Sequence, residues 1–155
     1  MRKWIALTTL GTCLFVAALQ IVVTPRRTVA NIAIQETLFD SQTMLQNYRY
    51  RQFVRGALDG DSGAFARLVR FPCSGAGSYE HGEVLAAILI NLGDKQFARM
   101  AATLTQEDRK RLIDLLAAGF EYGTVGNSKG LPGFSNTYPQ VSELLRNMNG
   151  YATLQ

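Results

Sequence analysis

The sequence predicts an all-α protein: an N-terminal transmembrane helix followed by a small orthogonal bundle of five or six short helices. Three observations predict it. Residues 4–23 form an uncharged, mostly apolar run, WIALTTLGTCLFVAALQIVV. Further along, apolar residues recur at three- and four-residue spacing behind capping residues, the pattern of helices with one buried face. No two alternating runs flank a tight-turn dipeptide, so no hairpin is expected. With 155 residues, 47% apolar and 18% charged, the chain has room for one domain and is neither disordered nor collagen-like. It divides into a signal anchor at 1–27, a linker or short helix at 28–40 and a helical domain at 41–155.

The leader comes first. As a helix, 20 residues at 1.5 Å each span about 30 Å, the thickness of a bilayer's hydrocarbon core. Trp4 stands at one edge, where an indole favours the headgroups, and Pro25 follows the other, where a helix stops. Arg2 and Lys3 with the N-terminal amine outweigh Arg26 and Arg27, which places the N-terminus in the cytoplasm under the positive-inside rule. The alternative is a secretory peptide cleaved near Val16-Ala17-Ala18, although the apolar run continues well past that point. A lipoprotein anchor on Cys13 is not expected, because Thr12 stands where Gly or Ala is usual. Retained, the leader makes a single-pass membrane protein with its C-terminal domain outside the cytoplasm; cleaved, it leaves a periplasmic or secreted one.

Charge placement excludes one class of partner. Arg2, Lys3, Arg26 and Arg27 account for the whole net charge of +4, and the body that follows carries equal numbers of acidic and basic residues. No nucleic-acid partner is therefore expected.

In the body, residues 28–40 alternate apolar and polar positions without settling on one period. Ser41 is placed to cap a helix over 41–58 carrying Met44, Leu45, Tyr48, Phe53, Val54, Ala57 and Leu58. Gly60-Asp61-Ser62-Gly63 interrupts it. Those four residues match the sequence around the nucleophile of chymotrypsin-like proteases, but that chemistry needs a base and an orienting acid on a two-barrel fold that a short helical chain does not build. They are expected as a turn in which Asp61 or Ser62 caps the next helix, which carries Phe65, Leu68 and Val69 and ends before Pro72. Residues 84–92, apolar almost all round, suit a central helix covered on every side. Gly93 stops it, and Asp94 is placed to cap a helix with Phe97, Met100 and Leu104. Thr105 and Asp108 resemble a capping box with Asp for Glu. The helix they open points Leu112, Leu115, Leu116 and Phe120 inward and leaves Glu107 and Arg111 paired outside. The Gly-rich stretch 122–138 is too irregular for a regular element, and Pro139 starts a last helix with Val141, Leu144 and Leu145. The two helices at 79–92 and 105–121 faintly resemble an ankyrin or HEAT pair, but no motif repeats.

Few residues carry chemistry. His81, the one histidine, stands between Glu80 and Glu83 and eight residues after Cys73. A Cys–His pair makes a thiolate nucleophile, and Cys, His and two carboxylates bind metals. The blander expectation is a helix start with His81 hydrogen-bonded or solvated, and no ligand-pair spacing supports a metal. Cys73 has no partner for an intrachain disulfide, since Cys13 lies in the leader. The glycines at 75 and 77 match neither a P-loop nor a dinucleotide fingerprint. Arg51 and Arg55, on one side of the first body helix among aromatics, suit a solvated face or a contact with lipid headgroups or a partner. In the 122–138 loop, Tyr122, Lys129, Phe134 and Tyr138 either anchor the loop or present a recognition surface. The expected function is a membrane-tethered, extracytoplasmic module for protein interaction or envelope association. It contacts lipid through residues 4–23, with no catalytic activity, cofactor or metal. The alternative is a small thiol- or His-dependent enzyme using Cys73, His81 and Glu80 or Glu83.

Overall fold

A computed structural model describes residues 28–35, 38, 43–122 and 134–146. The leader, the Ser41 cap and Lys129 lie outside them. The protein is all-α apart from one two-stranded hairpin, with seven helices among the described residues. None of these helices is long and apolar enough to cross a membrane.

The hairpin is the first departure from the sequence reading, which allowed 28–40 only a linker or short helix. β1 (Thr28–Val29) pairs antiparallel with β2 (Ile32–Ala33), in the register Thr28 to Ala33 and Val29 to Ile32. Ala30 and Asn31 form the turn with φ of 46° and 68°, the left-handed pair that a two-residue hairpin of primed type requires. Asn tolerates that conformation and Ala does not, so the turn lacked its usual sequence signal. What holds it is burial: Val29, Ile32 and, beyond the strands, Ile34 and Leu38 all enter the core.

α1 (Met44–Leu58) begins at Thr43 rather than Ser41. The Thr43 hydroxyl accepts from the Gln46 amide (3.3 Å), and the Gln46 side chain returns the bond to the Thr43 amide (2.8 Å), a complete capping box. Its inward stripe is Tyr50, Val54 and Ala57, spaced four and three. Met44, Leu45 and Tyr48 fall on the other side and are exposed. α1 closes in a Schellman turn: the Gly60 amide reaches the Ala57 carbonyl (3.0 Å), the Asp61 amide the Gly56 carbonyl (2.8 Å), and Gly60 takes φ 85°. α2 (Ser62–Val69) is capped by Asp61, whose carboxylate accepts from the Gly63 and Ala64 amides (2.7 and 3.1 Å). The GDSG stretch is thus a helix stop joined to a helix start.

α3 (Ala76–Leu92) is the central helix. It buries nine residues, including the whole run 84–89, while Ile90 and Asn91 emerge at its end. It packs most extensively on α5 (Gln106–Tyr122), and the two backbones touch at Gly82 and Gly119. A Cβ on Gly82 would strike the Leu115 carbonyl and lie 2.8 Å from the Gly119 nitrogen; one on Gly119 would strike the Gly82 carbonyl. Only glycine permits that approach. α4 (Asp94–Ala102) follows Gly93, whose φ of 74° breaks the chain direction.

The Asp94 carboxylate does not cap its own helix. It accepts from the Gln140 and Val141 amides (both 2.8 Å) and so caps α7 (Pro139–Arg146), 46 residues away. A one-turn helix, α6 (Phe134–Thr137), leads into α7 within the stretch the sequence reading left irregular. The α5 start is as expected: the Asp108 amide donates to the Thr105 hydroxyl (3.2 Å), which donates in turn to the Asp108 carboxylate (2.6 Å). Arg111 departs from expectation. It leaves Glu107 and donates instead to the Phe71 carbonyl (2.8 Å), tying α5 to the segment after α2. Phe65 and Phe97, edge to face at 5.1 Å, join α2 to α4. Fully buried, such a side chain contributes about 2–3 kcal/mol.

Candidate functional site

Two places gather chemically interesting groups, one inside the protein and one on its surface.

The interior one is centred on His81. Placed on the second turn of α3 and facing α1, it is completely buried, and its Nδ1 lies 2.9 Å from the Tyr50 hydroxyl. Phe71 packs edge-on against Tyr50 at 4.7 Å and closes the third side. Burial holds the Tyr50 hydroxyl well above its usual pKa, with the nearby Cys73 and Glu80 adding to the effect, so it keeps its proton. His81 is pushed down to about 3 by burial, with the positive charge of Arg111 acting in the same direction and the Leu68 carbonyl opposing weakly. The ring is therefore neutral at physiological pH. Its Nε2 is buried without a hydrogen bond of acceptable geometry.

This arrangement separates the members of the alternative enzyme reading. Cys73 is half-buried and free, and its sulfur has Arg111 Nη2 at 3.9 Å, but it makes no hydrogen bond to His81. His81 commits Nδ1 to Tyr50, so it neither orients the thiol nor receives its proton. A neutral ring with so low a pKa is also a weak base. Glu80 and Glu83 are part-buried on α3, and among the described residues no three of His, Cys, Asp and Glu gather to hold a metal.

The surface site lies on α1. Met44, Leu45 and Tyr48 are 73%, 56% and 61% exposed, and the helix carries Arg49, Arg51 and Arg55 with no acidic residue. Burial lowers the pKa of Arg51, and Arg55 lowers it further, the sign of like charges held close. Beside this face, α1, α2 and the chain after α2 enclose an open groove of about 280 Å3. Arg49, Arg67 and Arg70 line it over Phe53 and Phe71. The Arg67 guanidinium stands 5.5 Å from the centre of the Phe53 ring, a cation–π contact. Arg70 forks onto Asp108 through Nε (2.8 Å) and Nη2 (2.5 Å), which fixes one wall of the groove to α5.

The loop residues divide. Phe134 is buried against Phe120 (5.4 Å) and half-buried Tyr138 (5.2 Å), so both anchor the C-terminal helices to α5. Tyr122 stays exposed and meets Tyr79 edge to face at 5.0 Å. The aromatic and basic run 47–55 marked Arg49, Arg51 and Arg55 in the sequence, but not the core role of Tyr50 or the groove formed with Arg67 and Arg70. For Tyr50 a signal existed, the 50–54–57 stripe, but the apolar residues at 44, 45 and 48 masked it. No known family, curated protein or solved structure matches the chain.

Proposed function

We propose that this protein is a membrane-tethered, extracytoplasmic interaction module without catalytic activity, its small orthogonal helical bundle carried on an anchor formed by residues 4–23. The observation that carries the reading is a division of roles. His81, the residue best suited to chemistry, is sealed in the core and bonded to Tyr50, whereas the groups left accessible on α1 are apolar and cationic and suit contact rather than reaction. The uncharged run and its basic flanks support the tether and its orientation.

The test is fractionation of cells expressing the full chain. It is expected to stay in the membrane pellet after carbonate extraction, and added protease is expected to digest the body in cells with only the inner membrane intact. Intact chain in the soluble cytosolic fraction would overturn the tether. Protection of the body by that membrane would overturn the orientation.

A further inference from the structure

We infer that the exposed face of α1, together with the arginine groove beside it, lies on a bilayer surface containing anionic lipid. The inference rests on the membrane-tethered reading above and adds how the body sits on the membrane.

Four observations converge. At 100° per residue, Met44, Tyr48 and Arg55 fall within 40° of one another, with Leu45 and Gln52 next to them, so the large apolar side chains share a face with a cation. A helix with apolar groups, arginines and no acid on its outer side lies flat at an interface, sinking the apolar groups among the acyl chains and leaving the guanidinium groups at headgroup level. Arg49, one turn after Leu45, leads from this face into the groove. There, Arg67 stands over the part-buried Phe53 ring with Arg49 on the same lining: an anion for the arginines and hydrocarbon for Phe53 are what one lipid offers in a single molecule.

Charge places the face as well. Residues 43–75 hold five arginines against Asp59 and Asp61, and Asp108 of α5 neutralises Arg70, which leaves Arg49, Arg51, Arg55 and Arg67 to make α1 and the start of the groove the positive side of a neutral body. Asp61 is occupied in capping α2. Position agrees: 19 residues separate the end of the apolar run from Thr43, at most about 70 Å of extended chain, and the hairpin folds part of that back. A protein partner or a second copy would need a complementary acidic and apolar surface. An anionic bilayer supplies both, and the tether holds it within reach.

The experiment uses the full chain, reconstituted in vesicles whose lipids carry bromine on the acyl chains. In a Trp4→Phe background, one variant is Tyr48→Trp on α1 and the control is Glu143→Trp on α7, which packs on α4, α5 and α6. In vesicles rich in phosphatidylglycerol, bromine is expected to quench the Tyr48→Trp indole at least about twofold more than the control. Phosphatidylcholine alone, or adding Arg49→Glu and Arg55→Glu, is expected to abolish the difference. Equal quenching of the two indoles overturns the inference, as does quenching indifferent to lipid charge. A cross-linked dimer joined through α1 also overturns it, in favour of a second copy. Carbonate extraction of the same samples reads the tether separately: retention in the pellet with equal quenching sinks this inference alone, and release sinks the tether.

Discussion

His81 is the residue at which stability and chemistry meet. An unfolded chain protonates it near 6.5 and the folded one only near 3, so between those values the unfolded state binds the extra proton. The sign follows: stability falls as pH is lowered from about 6.5, at up to about 1.4 kcal/mol per pH unit from this residue. Asp108 acts lower down. The Arg70 hydrogen bond, helped by Thr105 and opposed by burial, holds its carboxyl at about 2, so its contribution is complete above the ordinary carboxylate range and is lost as pH falls towards 2. His81→Asn keeps an acceptor for Tyr50 but does not titrate. Thermal melts of the full chain in mild detergent are expected to show it less stable than wild type at pH 7.5, with a flatter decline between pH 6.5 and 4.5. An unchanged slope would mean that His81 is protonated in the fold. The same variant tests the enzyme alternative. In a Cys13→Ser background, His81→Asn is expected to leave the pH dependence of Cys73 alkylation unchanged, because no hydrogen bond joins the two side chains. A clear shift would revive the pair.

At the scale of elements, the contacts legible in the sequence are those that close within one helix turn. Asp61 on α2 and Thr105 with Asp108 on α5 were readable because capping needs only a three-residue offset. Asp94 shows the limit. By the same rule it caps α4, but the fold turns its carboxylate to α7, and no local spacing encodes a partner 46 residues away. The α3–α5 crossing was illegible for another reason: a glycine inside a helix reads as a local cost, and its value appears only when a second helix arrives. Gly82→Ala and Gly119→Ala are each expected to cost about 1–3 kcal/mol or more, since the methyl group meets backbone rather than a movable side chain. At Gly75 the space is open, but φ 56° with ψ −134° lies in a region essentially reserved for glycine, so Ala is expected to cost about 1–3 kcal/mol through the backbone alone. Denaturant midpoints give the ranking, and a Gly82→Ala midpoint equal to wild type would contradict the close crossing. The hairpin predicts the opposite sign. Replacing Ala30-Asn31 by Asn-Gly supplies the residues that a primed turn prefers and is expected to raise the midpoint.

At the scale of the whole molecule, the last two helices close the bundle. All-α architecture, the central helix and the final helix were legible because each depends on a periodic apolar face. Which faces meet was not, because the partners come from distant parts of the chain. α7 covers α4, Phe134 of α6 packs on Phe120 near the end of α5, and Asp94 locks the first of these contacts in place. Val141, Leu145 and Phe134 are all buried there, worth about 2 kcal/mol each. Together they amount to roughly 6 kcal/mol, comparable with the whole net stability of about 5–15 kcal/mol expected for a single domain. Truncation after Tyr122 is therefore expected to abolish the cooperative melt and to expose apolar surface to a hydrophobic dye. Asp94→Ala removes only the cap, about 1 kcal/mol, and is expected to keep a cooperative transition at a slightly lower temperature. If the truncated chain melted like the full one, α6 and α7 would be appendages rather than one wall of the core.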